Sequence, residues 1–134
     1  MYAATAACVL VADRNHGLCE GIRGLLQTTF EKVFAVTDKP SLIEGAARLQ
    51  PTLIVMDLSY AAGSLSGLVC ELRNHAPEAK LLFLSVHDEP TVVASAVAAG
   101  ADGLVLKRAI ASDLMPAIDA VLAGQRYFYS TARL

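Results

Sequence analysis

The sequence predicts an α/β fold: one five-stranded parallel sheet, doubly wound, with helices on both faces. Three observations lead there. Five short apolar runs recur along the 134 residues. Stripes of apolar residues at helical spacing lie between them. The connections are short. Regular strand–helix alternation makes a parallel sheet, because each helix must carry the chain back to the edge where strands begin.

The runs are CVLVAD (8–13), KVFAVTD (32–38), TLIVMDLS (52–59), KLLFLSV (80–86) and DGLVLK (102–107). Most are continuous rather than alternating, as expected of strands covered on both faces. Leu18, Ile22, Leu25, Leu26 and Phe30 place one apolar face on the first helix. Leu42, Ala46 and Leu49 mark a second, and Leu65, Leu68, Val69 and Leu72 a third. Val92, Val93, Ala96 and Val97 mark a fourth, and Leu114, Ile118, Val121 and Leu122 a fifth. Asp88 before Glu89-Pro90 reads as an N-cap ahead of a first-turn proline, and Ser112-Asp113 as the cap of the last helix near Pro116. Gly100 and Gly124 suit helix stops. Right-handed crossovers then favour the flavodoxin-like strand order 2-1-3-4-5.

Composition bounds the rest. The length suits a single domain, 1–134, with its core at about 7–130 and fraying expected at 1–6 and about 130–134. Apolar residues make up 54% and charged ones 18%, which excludes a disordered chain. The net charge of −2 gives no electrostatic footprint for nucleic acid. The apolar start has no cationic leader, and no stretch approaches the roughly 18 uncharged residues of a membrane span. The three cysteines, without CxxC spacing, read as reduced thiols packed in the core. A cytoplasmic protein is expected. The three histidines lack metal-ligand spacing.

The chemistry lies where the apolar runs stop. Asp13, Asp57, Ser85 and Lys107 each end or directly follow a strand. In the order 2-1-3-4-5 those four strands are adjacent, and ligands bind beyond their carboxyl ends. A carboxylate nucleophile flanked by a hydroxyl and an ammonium makes a phosphoryl-handling site.

These residues resemble the receiver domain of two-component response regulators, of the NarL/FixJ type with its CheY-like fold. The likeness runs over about 7–130 and is most specific from LLFLSV to AGQRY. It implies that Asp57 takes a phosphoryl group from a histidine kinase. It also implies that Ser85 and Lys107 hold the phosphoryl oxygens, and that Mg²⁺ binds through Asp13, Asp57 and the Ser59 backbone carbonyl. NarL/FixJ regulators usually continue into a helix-turn-helix output domain. No such domain is expected within this chain, which by itself should not bind DNA. Homodimerisation is compatible with the family. The end GQRYFYSTARL resembles an interdomain linker.

The sequence departs from the family at several points. The second acid after strand one is Arg14, and arginine cannot ligate a cation. Asp13, Arg14, Asp57 and Lys107 together carry no net charge. Each charge product at about 5 Å is worth on the order of 3 kcal/mol at an effective dielectric near 20, so Mg²⁺ binding should be weakened. The loop LSYAAGSLSG is longer than usual and lacks its proline. Leu104 replaces the aromatic three residues before the lysine; Arg108 stands where many receivers have a proline that the NarL/FixJ type often lacks.

Three functions stay open. One is an ordinary phosphorylatable receiver. Another is an atypical receiver acting as an interaction module, with Arg14 pairing Asp57 in place of the cation. The third is an aspartate-nucleophile phosphatase, which needs an acid where Ser59 stands.

Overall fold

The computed structural model describes residues 7–129; the ends expected to fray, 1–6 and 130–134, lie outside them. Six parallel strands form one sheet in the order β2-β1-β3-β4-β5-β6. They are β1 (Cys8–Ala12), β2 (Lys32–Val36), β3 (Leu53–Asp57), β4 (Lys80–Ser85), β5 (Gly103–Leu106) and β6 (Tyr127–Phe128). The helices are α1 (His16–Leu26), α2 (Lys39–Leu49), α3 (Leu65–His75), α4 (Pro90–Ala99) and α5 (Ile110–Leu122). The expected order 2-1-3-4-5 is present. The short β6, which the sequence analysis did not anticipate, extends it. Gly103 allows that extension, since a Cβ there would come within 3.0 Å of the Tyr127 carbonyl.

Alternation along continuous apolar runs gives the sheet two dry faces. Leu10, Ile54, Met56, Phe83 and Leu104 meet α2, α3 and α4 through Leu42, Ala46, Leu72 and Ala96. Val9, Val11, Val55, Leu84 and Val105 meet α1 and α5 through Ile22, Leu26, Ile118 and Val121. Most are fully buried, at about 1.5–3 kcal/mol for each large side chain. Among the described residues no helix is long and apolar enough to cross a membrane.

Caps fix the starts of three helices. Asn15 Oδ1 accepts from the Leu18 amide at 3.0 Å, Asp38 Oδ1 from Ser41 at 2.8 Å and Ser64 Oγ from Gly67 at 3.0 Å. Two expected caps differ. The residue before α4 is Glu89, with no side-chain cap, and Asp88 instead pairs with Arg108 at 2.9 Å. Helix α5 begins two residues before Ser112, so Ser112 lies inside it and donates to the Ala109 carbonyl at 3.3 Å. The 3₁₀ turn Lys107–Ala109 runs straight into this helix, which leaves no extended residue to act as a polar cap. Gly100 and Gly124 stop their helices with φ of 88° and 87°, a conformation disfavoured for residues with a Cβ.

Candidate functional site

Register brings the polar strand ends to one level. Ala12 pairs with Met56, so Asp13 follows beside Asp57. Asp57 pairs with Leu84, just before Ser85, and Ser85 pairs with Leu106, just before Lys107. Asp13 and Ser85 are the buried polar residues among those described, each 1% exposed.

Lys107 ties the carboxylates together. Its Nζ lies 2.7 Å from Asp13 Oδ2 and 3.1 Å from Asp57 Oδ1. Burial alone would lower the lysine pKa; hydrogen bonding and charge from Asp13 and Asp57 outweigh it and hold the ammonium above its usual value. Asp13 Oδ1 accepts from the Asn15 amide at 2.8 Å, which orients the carboxylate. Asp13 Oδ2 is buried, and the Lys107 ammonium at 2.7 Å is the group that faces it.

Asp57 Oδ2 accepts from the Ser59 hydroxyl. Ser59 opens the long loop, where a 3₁₀ turn, Leu58–Ala61, is followed by positive φ at Ala62 (47°) and Gly63 (94°). Across the opening, Ser85 Oγ donates to the His87 carbonyl at 3.0 Å and accepts from the His87 amide at 2.9 Å. Asp57, Ser59, Ser85, His87 and Lys107 line one cavity of about 360 Å³. Asp57 and Lys107 bring one carboxylate and one ammonium to its wall, with Asp13 buried behind the ammonium. An incoming phosphoryl group would meet a carboxylate oxygen, an ammonium and a hydroxyl that can turn toward it.

Arg14 does not join this group, and it makes no ion pair with Asp57. Its guanidinium lies 4.8 Å from the ring centre of Tyr60, exposed to solvent on its other side. The pairing that the sequence analysis held open is therefore replaced by a cation–π contact. The reason is steric and electrostatic. Lys107 already occupies the space between the carboxylates, and a ring face is available next to Arg14.

Sequence reasoning overlooked Tyr60. It is fully buried, and its hydroxyl donates to the Thr37 carbonyl at 2.7 Å, fastening the long loop to the end of β2. Burial, followed by the Asp13 charge, pushes its pKa up to about 12, against a lowering by Arg14. Its available signal was its identity as a lone aromatic in a loop of small residues.

For a divalent cation the donor set is thin. Among the described residues no three acidic, histidine or cysteine side chains gather as a metal cluster. Asp13 Oδ2 is buried and already meets the Lys107 ammonium at 2.7 Å, so a metal ion would share that oxygen with it. Ser59 offers a backbone carbonyl, one lone pair of which takes the Ala62 amide at 3.3 Å. Two carboxylates and one carbonyl fit Mg²⁺, which keeps several waters and takes phosphate oxygens.

The chain matches the family model of the response regulator receiver domain over residues 9–119. It is 31% identical over 128 residues to the transcriptional regulatory protein MctR of Rhizobium johnstonii, covering 91% of this chain and 58% of that protein. It is 32% identical over 127 residues to the nitrate/nitrite response regulator protein NarP of Escherichia coli, covering 93% of this chain and 59% of that protein. It thus spans less than two thirds of the length of these curated relatives. Among solved structures, a LuxR-family two-component response regulator from Aurantimonas superposes with a TM-score of 0.80 at 26% identity, covering 90% of this chain and 88% of the other. The isolated receiver domain of RcsB from Salmonella enterica, in its apo form, gives 0.80 at 25% identity, with 95% and 96% covered.

Proposed function

The chain belongs to the response regulator receiver domain family, and on that premise we propose that Asp57 is its phosphoacceptor. The family is one of signalling phosphoacceptors rather than catalytic enzymes, and it implies a histidine kinase as partner. The observation that carries the assignment is Lys107 Nζ, held against both Asp13 and Asp57 at the rim of the cavity that Ser85 also lines.

The Asp57 side chain is only 14% exposed, so little water need be removed before it attacks. One of its oxygens forms a bond to phosphorus. The bond from phosphorus to the donor, a phosphohistidine nitrogen, breaks, and its electron pair leaves with the donor. The product is an acyl phosphate. Lys107 stabilises charge on the phosphoryl oxygens. The Ser59 hydroxyl releases Asp57 Oδ2, and the Ser85 hydroxyl turns from the His87 carbonyl to a phosphoryl oxygen. That turn releases one of the bonds held by the His87 carbonyl and starts the conformational change. In the longer regulators that resemble this chain, the signal would pass to an attached DNA-binding output.

Receiver domains typically bind Mg²⁺. Here Asp13, Asp57 and the Ser59 carbonyl would hold it, and it would supply positive charge against the phosphoryl oxygens. Its binding is weakened, because Arg14 stands where the family places a second ligand acid. Calorimetric titration tests this: affinity equal to that of an ordinary receiver refutes it. The test of the phosphoacceptor is incubation with acetyl phosphate and Mg²⁺. One phosphoryl adduct should form and should vanish in Asp57→Ala; no adduct on the unaltered chain refutes the assignment.

A second reading rests on Arg14, fixed over Tyr60 where a ligand acid is expected. It is an atypical receiver that signals as an interaction module, with phosphorylation slow or independent of metal. An adduct whose rate does not change when Mg²⁺ is chelated favours it.

A further inference from the structure

We propose that Tyr129 is a positioning residue for the phosphorylation of Asp57: its phenol holds the His87 carbonyl against which the Ser85 hydroxyl rests. The inference rests on the reading of Asp57 as phosphoacceptor. Tyr129 follows β6 directly, and its amide donates to the Leu104 carbonyl at 3.1 Å, so its backbone is fixed to β5. Its side chain is nearly buried and its hydroxyl donates to the His87 carbonyl at 2.8 Å. The same carbonyl accepts from Ser85 Oγ at 3.0 Å. Both lone pairs of that oxygen are therefore engaged.

The consequence concerns the turn that Ser85 must make. To donate to a phosphoryl oxygen, its hydroxyl has to abandon the His87 carbonyl. With the phenol in place, that carbonyl keeps one donor. Without it, the departure of Ser85 leaves a part-buried acceptor unpaired, which opposes the turn. The phenol also tethers the 86–88 segment, so the Ser85 hydroxyl starts from a fixed place. Leu104, the residue to which Tyr129 is bonded, has no polar side-chain atom that could do this. Burial, followed by the nearby Asp88 and Glu89, raises the Tyr129 pKa against the opposing Arg108, so the phenol stays a donor at neutral pH.

The test uses the whole chain, acetyl phosphate as donor and Mg²⁺. Tyr129→Phe should slow adduct formation about fivefold, the worth of one ordinary hydrogen bond. In a Ser85→Ala background the same substitution should have no effect, because no hydroxyl remains to turn. A merely structural role would slow both backgrounds alike. A second readout needs no phosphoryl group. The His87 amide donates to Ser85 Oγ, and its hydrogen exchange should accelerate in Tyr129→Phe while that of Val55 in the sheet does not. Unchanged phosphorylation and His87 exchange, or equal slowing in both backgrounds, overturns the role of Tyr129 and leaves Asp57 standing. No adduct on the unaltered chain overturns both.

Discussion

The two halves of the site rim are built differently. At the end of β1, Asp13 stands as a single acid beside an arginine that lies over Tyr60, with Asp57 at the end of β3 next to it. At the ends of β4 and β5, Ser85 and Lys107 are both in place, and the segment after Ser85 gains a phenol from Tyr129. One half has an arginine where an acid was expected, while the other holds its hydroxyl and ammonium in place and adds a tether. Metal affinity depends on summed charge and ligand number, so a single substitution changes it. The approach of a lysine to two carboxylates depends on strand register, which a surface arginine does not disturb.

Lys107→Ala has the largest expected effect, because it removes the group shared by both halves. Asp13, at 1% exposure, would then face Asp57 without a counter-ion. A loss of about 3 kcal/mol in urea unfolding is expected for breaking a buried pair, with at least a roughly 100-fold drop in phosphorylation rate for removing a charge stabiliser. Retained stability and rate would show that the two halves do not depend on the shared ammonium.

Arg14→Asp sharpens the contrast directly. Replacing a cation with an acid should raise Mg²⁺ affinity about tenfold or more by calorimetry, after heavy discounting of the Coulomb energy for solvent screening. Unchanged affinity would mean that the β1 side is not depleted.

Tyr60→Phe keeps the ring under Arg14 but removes the hydrogen bond to Thr37, and should cost about 1 kcal/mol by thermal or urea unfolding. It should also change the alkaline limb. The Tyr60 pKa is pushed up to about 12 in the folded chain from about 10 when unfolded, so its contribution is complete below about pH 10 and is lost as pH rises toward 12. Lys107, also raised in the fold, acts in the same direction at high pH. The fall in stability above pH 10 should therefore be shallower in Tyr60→Phe than in the unaltered chain. An identical slope would remove the phenol from this account.

The fold was largely legible because burial on both faces leaves a local signature. Continuous runs such as LIVM cannot serve as half-exposed strands, and stripes such as Leu114, Ile118 and Val121 fit one helix face. Helix starts were less legible. The start of α5 is set by the 3₁₀ turn after Lys107, not by the nearest polar pair, Ser112-Asp113. Strand β6 has only two residues, and its pairing depends on the missing Cβ of Gly103 across the sheet.

The site divides in the same way. Sequence alone places Asp13, Asp57, Ser85 and Lys107 at strand ends, because each closes or follows an apolar run. It also determined that Arg14 contributes no ligand, since that follows from the side chain alone. The partners emerge in the folded chain: Lys107 between the two carboxylates, Arg14 on Tyr60, and Ser85 and Tyr129 on one carbonyl. Those choices are competitions in space among groups distant along the chain. They are settled by which cation reaches the buried oxygens first and which ring is left uncovered, and spacing in sequence encodes neither.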